Sequence, residues 1–331
     1  MRILARAPGK LVALGEYAVL DGAPALVLAV DRYCEASLGA SEDGRCHLET
    51  RAPDAHTWTF RVGEPAGVPL VDLICAPSAA PAWRGTLDSQ AFFSGATKLG
   101  LGSSAAALCA WAGAWSAYAR SAGSAEPAPS LERLMALHRH FQGGSGSGLD
   151  IAASLLGGAI EFQLAAASVP RVGSVRMPNS VGFAGIFAGR SASTPELLAR
   201  YRAWSADHPK QAAEAQRRLR SIAEDGCAAA RGDDADAFLK AITDYGRGLQ
   251  NLGVAIGAQI VTAEHRQIGA QAEHYGVAYK VSGAGGGDLG IAFAADLQAL
   301  EAFKTSVASD GFQVVDFSLA ERGLVVEEHA E

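Results

Sequence analysis

Lys98-Leu-Gly-Leu-Gly-Ser-Ser-Ala-Ala106 is a glycine-rich turn that runs straight into an apolar helical repeat. Ala, Leu and Trp recur at helical spacing from Ser103 to Ala122, and two serines stand at the start, where caps belong. The amides of a helix's first turn have no intrahelical partner, and the macrodipole there favours negative charge. Such a start binds phosphate when glycines let the backbone approach closely. It is not a Walker A loop, which needs Lys after the last glycine. Nor is it G-x-G-x-x-G, because Ala105 takes the third glycine position. Read alone, the stretch is either a phosphate site or a tight turn before a capped helix.

Three other segments stand out from the ordinary run of the chain. Gly283-Ala-Gly-Gly-Gly-Asp288, after Lys280-Val-Ser282, holds four glycines in five positions, more than a two-residue hairpin requires. Close approach of backbone to a ligand explains that density, and an irregular loop is the alternative. Gln142-Gly-Gly-Ser-Gly-Ser-Gly-Leu-Asp150 ends in a carboxylate at the start of an apolar helical stretch. Asp150 there is either a helix cap or a group presented to a substrate hydroxyl. Ala7-Pro-Gly-Lys-Leu-Val-Ala-Leu-Gly-Glu-Tyr-Ala-Val-Leu-Asp-Gly22 sets Lys10 among residues patterned for burial, as a snorkelling strand lysine or a functional cation.

The rest of the pattern supplies the frame. Ile3–Ala7, Lys10–Leu14 and Pro24–Val30 read as strands, and Cys46–Arg61 as a hairpin arm. Ser130 caps a helix over Leu131–Phe141, and Leu149–Leu155 reads as another. Thr194–Ala206, Lys210–Arg231 and Asp233–Leu252 follow as helices, then strands at Ala278–Ser282, Leu289–Phe293 and Phe312–Phe317, with a helix over Leu297–Ser309. The length of 331 residues and a composition shift near residue 170 predict two domains, 1–169 and 170–331.

Composition narrows the function. A chain 49% hydrophobic and 19% charged has ample core, and a net charge of −7 without a Lys/Arg-rich run excludes a nucleic-acid binder. An anionic ligand must then be held by a few placed cations and backbone amides. Cys34, Cys46, Cys75, Cys109 and Cys227 are scattered without a C-x-x-C pair, which fits a reducing cytoplasm. No secretory signal and no bilayer-spanning run is expected.

In order and spacing these segments resemble the GHMP kinase superfamily. Its three motifs correspond to Pro8-Gly9-Lys10 through Gly15-Glu16-Tyr17, to Gly100 through Ala106, and to Ser282 through Asp288. Within it, Gly15-Glu-Tyr-Ala-Val-Leu20 followed by Ala25-Leu-Val-Leu-Ala-Val-Asp-Arg32 resembles the phosphomevalonate kinases, as do Ser145-Gly-Ser-Gly-Leu-Asp150 and Arg190-Ser-Ala-Ser-Thr194.

The resemblance implies an α+β fold of two domains with ATP in the cleft between them. The amino-terminal domain would carry a left-handed β-α-β crossover, against the usual right-handed rule, and the carboxy-terminal domain would be ferredoxin-like. It implies phosphoryl transfer from ATP to phosphomevalonate, with mevalonate or a sugar as the alternative acceptor and a non-catalytic ligand sensor as the alternative class.

Lys98, Gly100, Leu101, Gly102, Ser103, Ser104, Ala105 and Ala106 would cradle the nucleotide phosphates, and Ser104 would ligate Mg²⁺. Lys10 would orient the acceptor and stabilise developing charge, and Asp150 would act as base or as a positioning group. Lys10, Ser145, Ser147, Arg190, Ser193, Gly285, Gly286 and Asp288 would meet the anionic small-molecule substrate, with Lys280 a further cation. The protein would be a monomer or homodimer without membrane or nucleic-acid partners.

One departure concerns the metal. Mevalonate kinases place a metal-binding glutamate on the helix before the Gly/Ser loop, and here that helix reads Leu137-His-Arg-His-Phe-Gln142. The metal would then rely on Ser104, water and phosphates. The histidines, including His138, His140, His265 and His274, show no metal spacing and are read as structural.

Overall fold

The computed structural model describes residues 1–75, 80–144, 146–165, 169–189 and 194–329. The chain opens with β1 (Arg2–Leu14), turns through a short 3-10 segment at Ala18–Asp21 and returns as β2 (Pro24–Ala40). The two strand stretches expected over Ile3–Leu14 are one strand, whose register against β2 shifts between Pro8 and Gly9. Proline lacks the N–H that the ladder needs, so the pairing is interrupted there without ending the strand.

Next come the hairpin β3 (Cys46–Arg51) and β4 (Ala55–Phe60), helix α1 (Pro69–Cys75), and β5 (Trp83–Asp88). A small hairpin, β6 (Phe93–Ser94) with β7 (Thr97–Lys98), leads into α2 (Ser103–Ser121), then α3 (Leu131–Phe141), α4 (Leu149–Leu156), β8 (Ala159–Gln163) and β9 (Arg171–Val175). β3 and β5 run parallel, and the chain between them passes through β4 and α1.

The second half holds β10 (Gly182–Phe187), α5 (Thr194–Asp207), α6 (Pro209–Arg231), α7 (Ala235–Ala255), α8 (Ala263–His274), β11 (Ala278–Val281), β12 (Leu289–Ala294), α9 (Leu297–Ser309), β13 (Gln313–Val315) and β14 (Val325–His329). Its sheet has the order β11-β12-β10-β13, antiparallel throughout. With α5 to α8 in one crossover and α9 in the other, this is the β-α-β-β-α-β arrangement of a ferredoxin-like domain.

The larger sheet follows the path β14-β1-β2-β5-β3-β4, with β8 on β2 and β9 on β8. β9 lies past residue 170 yet belongs to this sheet, and β14 returns to pair with β1. The sheets therefore divide between Val175 and Gly182, later than the 169/170 boundary read from composition. The final strand closes the first sheet, not the second.

α2 is buried almost all round, and its alanines let it lie close against β1 and β2. One hydrophobic cluster runs from these elements into Tyr245, Leu249 and Phe293 of the second half. A smaller one, with Ile268 and Phe303, fills the space between the second sheet and helices α8 and α9. The five cysteines are free. No helix among the described residues is long and apolar enough to cross a membrane.

A buried ion pair ties the two halves. Lys280 on β11, 2% exposed, donates to Glu16, 4% exposed and just past β1, and to the Val12 carbonyl at 3.1 Å. Tyr245 of α7 donates its hydroxyl to the Glu16 carbonyl at 2.7 Å, and its ring lies 5.7 Å from the Lys280 ammonium. Burial pushes the Glu16 carboxyl up, against the opposing pull of Lys280, and pushes the Lys280 ammonium down, against Glu16.

Removing one partner strands a charge in the core, at a cost of about 3–5 kcal/mol. Glu16→Gln is expected to lose that much in urea unfolding, and Glu16→Met with Lys280→Met to recover most of it. A loss under about 1 kcal/mol for Glu16→Gln would rank the pair with exposed ion pairs and exclude it as the pin between the halves.

Candidate active site

The start of α2 is shaped by two glycines in the left-handed region, Gly100 at φ 79° and Gly102 at φ 77°. Gly102, and not a serine, is the N-cap residue, so Ser103 and Ser104 are the first helical residues. The left-handed φ of the cap position favours glycine, and a Cβ there would also lie 3.3 Å from carbons of the Lys10 side chain. Ser103 and Ser104, released from capping, present their first-turn amides at the helix mouth.

β1 holds this loop. The Lys10 amide donates to the Leu101 carbonyl at 2.9 Å, and the Lys10 ammonium donates to the Gly100 carbonyl at 3.1 Å. Leu101, Ala105 and Ala106 are buried behind the loop, and Lys98 is exposed at its edge.

Asp150 stands in the first turn of α4, whose N-cap is Gly148 at φ 85°. Asp150 is therefore not the cap; its Oδ1 accepts from the neighbouring Ile151 amide at 3.0 Å. Ser154, one turn along, donates to the Pro8 carbonyl at 2.8 Å and so fixes α4 against β1.

From the other half comes the glycine loop between β11 and β12. The Ser282 hydroxyl accepts from the Val12 amide at 2.9 Å, and the Gly283 amide donates to Glu16 at 3.3 Å. Tyr17 donates to the Ala284 carbonyl at 2.7 Å. Gly285 and Gly286 turn away toward Ile260, whose carbonyl accepts from the Gly286 amide at 2.8 Å and would lie 2.3 Å from a Cβ on Gly285. Their close backbone approach is to protein. Asp288 sits at φ 55°, a conformation Asp tolerates, with its carboxyl packed against Gly100.

These elements enclose a cavity of about 350 Å³. Lys10, Lys98, Gly100, Gly102, Ser103, Ser104, Ser147, Asp150 and Asp288 line it, together with Gly283 and Ala284. Ser145, Arg190 and Ser193 lie outside the described residues. Lys280 faces Glu16 and is not part of the lining. Burial holds the Lys10 ammonium below its ordinary value, and Asp150, Asp288 and Glu16 partly restore it.

Sequence reasoning missed Glu16 and Tyr17 as anchors of the glycine loop, and it missed His138. This histidine shares the buried face of α3 with Leu134 and Met135, and its Nε2 lies 3.0 Å from Ser104 Oγ. The i, i+4 spacing of Leu134 and His138 was the available signal.

The arrangement can take an anionic chain of phosphates on the α2 amides, with an ammonium beside it. Among the described residues no group of three His, Cys, Asp or Glu side chains could hold a metal ion. A hard cation bound mostly by phosphates and water, with the Ser104 hydroxyl and the Asp150 carboxylate as protein oxygens, fits the donor set.

No model of a known protein family matches the chain. It is 31% identical over 350 aligned positions to phosphomevalonate kinase of Streptomyces sp. (strain CL190), covering 88% of this chain and 89% of that protein. Among solved structures, a Lin0012 protein from Listeria innocua matches with a TM-score of 0.84 at 23% identity, over 99% of this chain and 100% of that one. Streptococcus pneumoniae phosphomevalonate kinase in complex with phosphomevalonate and AMPPNP matches at 0.78 and 18%, over 96% and 99%.

A side chain at Gly100 must both hold a positive φ and meet Asp288 at 2.6 Å, whereas at Gly44 (φ 72°) nothing lies within 4 Å. Gly44→Ala pays only the backbone strain of about 1–2 kcal/mol. Gly100→Ala is expected to lower the melting temperature further and to abolish stabilisation by pyrophosphate in thermal unfolding. Equal behaviour of the two variants would separate the loop from anion binding.

Proposed function

The chain belongs to the GHMP kinase superfamily and is an ATP-dependent kinase, and on that premise we propose that it phosphorylates phosphomevalonate, giving diphosphomevalonate and ADP. The observation that carries the acceptor is the 31% identity to a phosphomevalonate kinase over most of both chains. A cavity with a buried ammonium and a helix start suits an acceptor that is itself a phosphate.

Transfer between two anions requires alignment, charge neutralisation and exclusion of water. The α2 amides and the Ser103 and Ser104 backbone hold the donor phosphates. Lys10, held by the Gly100 carbonyl at the joint between loop and strand, draws the acceptor oxygen toward the transferring group. Ser104 and Asp150 would be the protein oxygens holding Mg²⁺, which would supply charge neutralisation at the donor oxygens. Lys98 at the cavity edge and Ser147 in its wall supply further donors to the two anions.

A phosphate acceptor is largely deprotonated near neutral pH, its second pKa being about 6. Asp150 therefore acts by positioning Lys10 and the cation, not as a base. Asp150→Asn is expected to raise the Mg²⁺ concentration needed for half-maximal rate about tenfold, more than it lowers kcat at saturating Mg²⁺. A kcat loss of about 10⁴-fold that saturating Mg²⁺ leaves unchanged would instead mark Asp150 as a base.

Lys10 must be protonated to act. Its lowered pKa places the loss of kcat/KM on the alkaline side below the ordinary lysine value of about 10.4. In Lys10→Arg, whose guanidinium stays charged, that alkaline limb should vanish even where the rate is reduced. A limb unmoved by the substitution would assign it to another group.

The acceptor is tested by ADP release across phosphomevalonate, mevalonate and sugars. We expect kcat/KM for phosphomevalonate to exceed the others by about 100-fold or more, the scale of discrimination when a site built for a polar group is left unfilled. Turnover of mevalonate without phosphomevalonate would overturn the assignment.

A further inference from the structure

Two polar residues of the cavity, Ser104 and Asp150, both face a third that does not line it. His138, 2% exposed, reaches from α3 with Nε2 at 3.0 Å from Ser104 Oγ and Nδ1 at 3.8 Å from Asp150 Oδ1. Its ring lies nearly parallel to that of Phe141, with centroids 6.4 Å apart and planes 17° from parallel. The three side chains come from the starts of α2 and α4 and the end of α3.

The hydrogen positions follow from this order. At 3.8 Å Nδ1 lies beyond direct hydrogen-bond reach of Asp150, but an ionised carboxylate favours a hydrogen on the ring nitrogen that faces it; the opposite tautomer would turn a nitrogen lone pair toward the carboxylate. In the neutral ring Nε2 is then an acceptor, and Ser104 must donate to it. A hydroxyl has one proton and two lone pairs, and with its proton committed to His138, Ser104 Oγ turns only lone pairs to the cavity.

We propose that His138 is a positioning residue that, as the Nδ1–H tautomer, takes the Ser104 hydroxyl bond and so turns this serine into an acceptor for the cation accompanying the nucleotide. The proposal rests on the reading of the cavity as a nucleotide site but not on the identity of the acceptor. Without His138 the Ser104 hydroxyl is free to rotate and to donate to a phosphate instead, and the cation loses a preoriented oxygen.

The test uses the whole protein without acceptor. Two-bond ¹H–¹⁵N correlation spectra of ¹⁵N-histidine-labelled protein at about pH 8, where an ordinary imidazole is neutral, report the tautomer of each ring. His138 is expected as Nδ1–H, and Asp150→Asn is expected to reduce that preference. Calorimetry then compares ADP with and without magnesium chloride. His138→Leu should weaken Mg·ADP binding about tenfold without weakening metal-free ADP binding, while His138→Gln, whose amide carbonyl can still accept, should recover most of the loss.

An Nε2–H tautomer in the wild-type protein would overturn the proposal even if the variants fail to fold. So would wild-type Mg·ADP affinity in His138→Leu. Neither result bears on which acceptor is phosphorylated, so failure here and failure of the acceptor assignment are distinct.

Discussion

One strand organises the site. Along β1 and the turn after it, Pro8 accepts from Ser154 of α4, Lys10 grips the Gly100 and Leu101 carbonyls before α2, Val12 bonds Ser282 and Lys280, and Glu16 takes Lys280 and the Gly283 amide. These bonds lead to three walls of the cavity: α4, the loop before α2, and β11 with its glycine loop. The relative placement of the helix start, the carboxylate and the glycine loop therefore depends on the register of a single β element. Its edges are fixed too, by β2 on one side and by β14, from the far end of the chain, on the other.

This explains why the two buried lysines differ in use. Lys280 and Lys10 are both buried with depressed ammonium pKa, yet one is satisfied by Glu16 and the other has a carbonyl partner and three carboxylates nearby. The first is a structural pin that happens to lie beside the site. The second keeps a charge available at the cavity surface, where an anionic ligand can complete its neutralisation.

Local pattern made much of this legible. The helices over 103–121, 131–141 and 149–156 follow from apolar periodicity, and Ser130 caps the second as its sequence position suggests. Lys10, Ser104 and Asp150, read from separate motifs, line one cavity. What stayed hidden depends on distant neighbours. Gly102 takes the cap position in a left-handed turn packed beside Lys10, a Cβ on Gly285 would collide with Ile260, and β14 joins β1 across the whole chain length. α8 (Ala263–His274) carries a weak apolar face and escaped notice. His138 looked like any core histidine, since nothing in its own helix announces Ser104 and Asp150.

The central claim is that the transferred group is accepted by a phosphate oxygen within this cavity. ³¹P NMR of the protein incubated with ATP, Mg²⁺ and phosphomevalonate tests it directly. The account predicts that the γ-phosphate of ATP disappears as a pair of mutually coupled resonances of a new diphosphate ester grows. A new uncoupled monophosphate signal, or ATP consumed without any new ester, would contradict it.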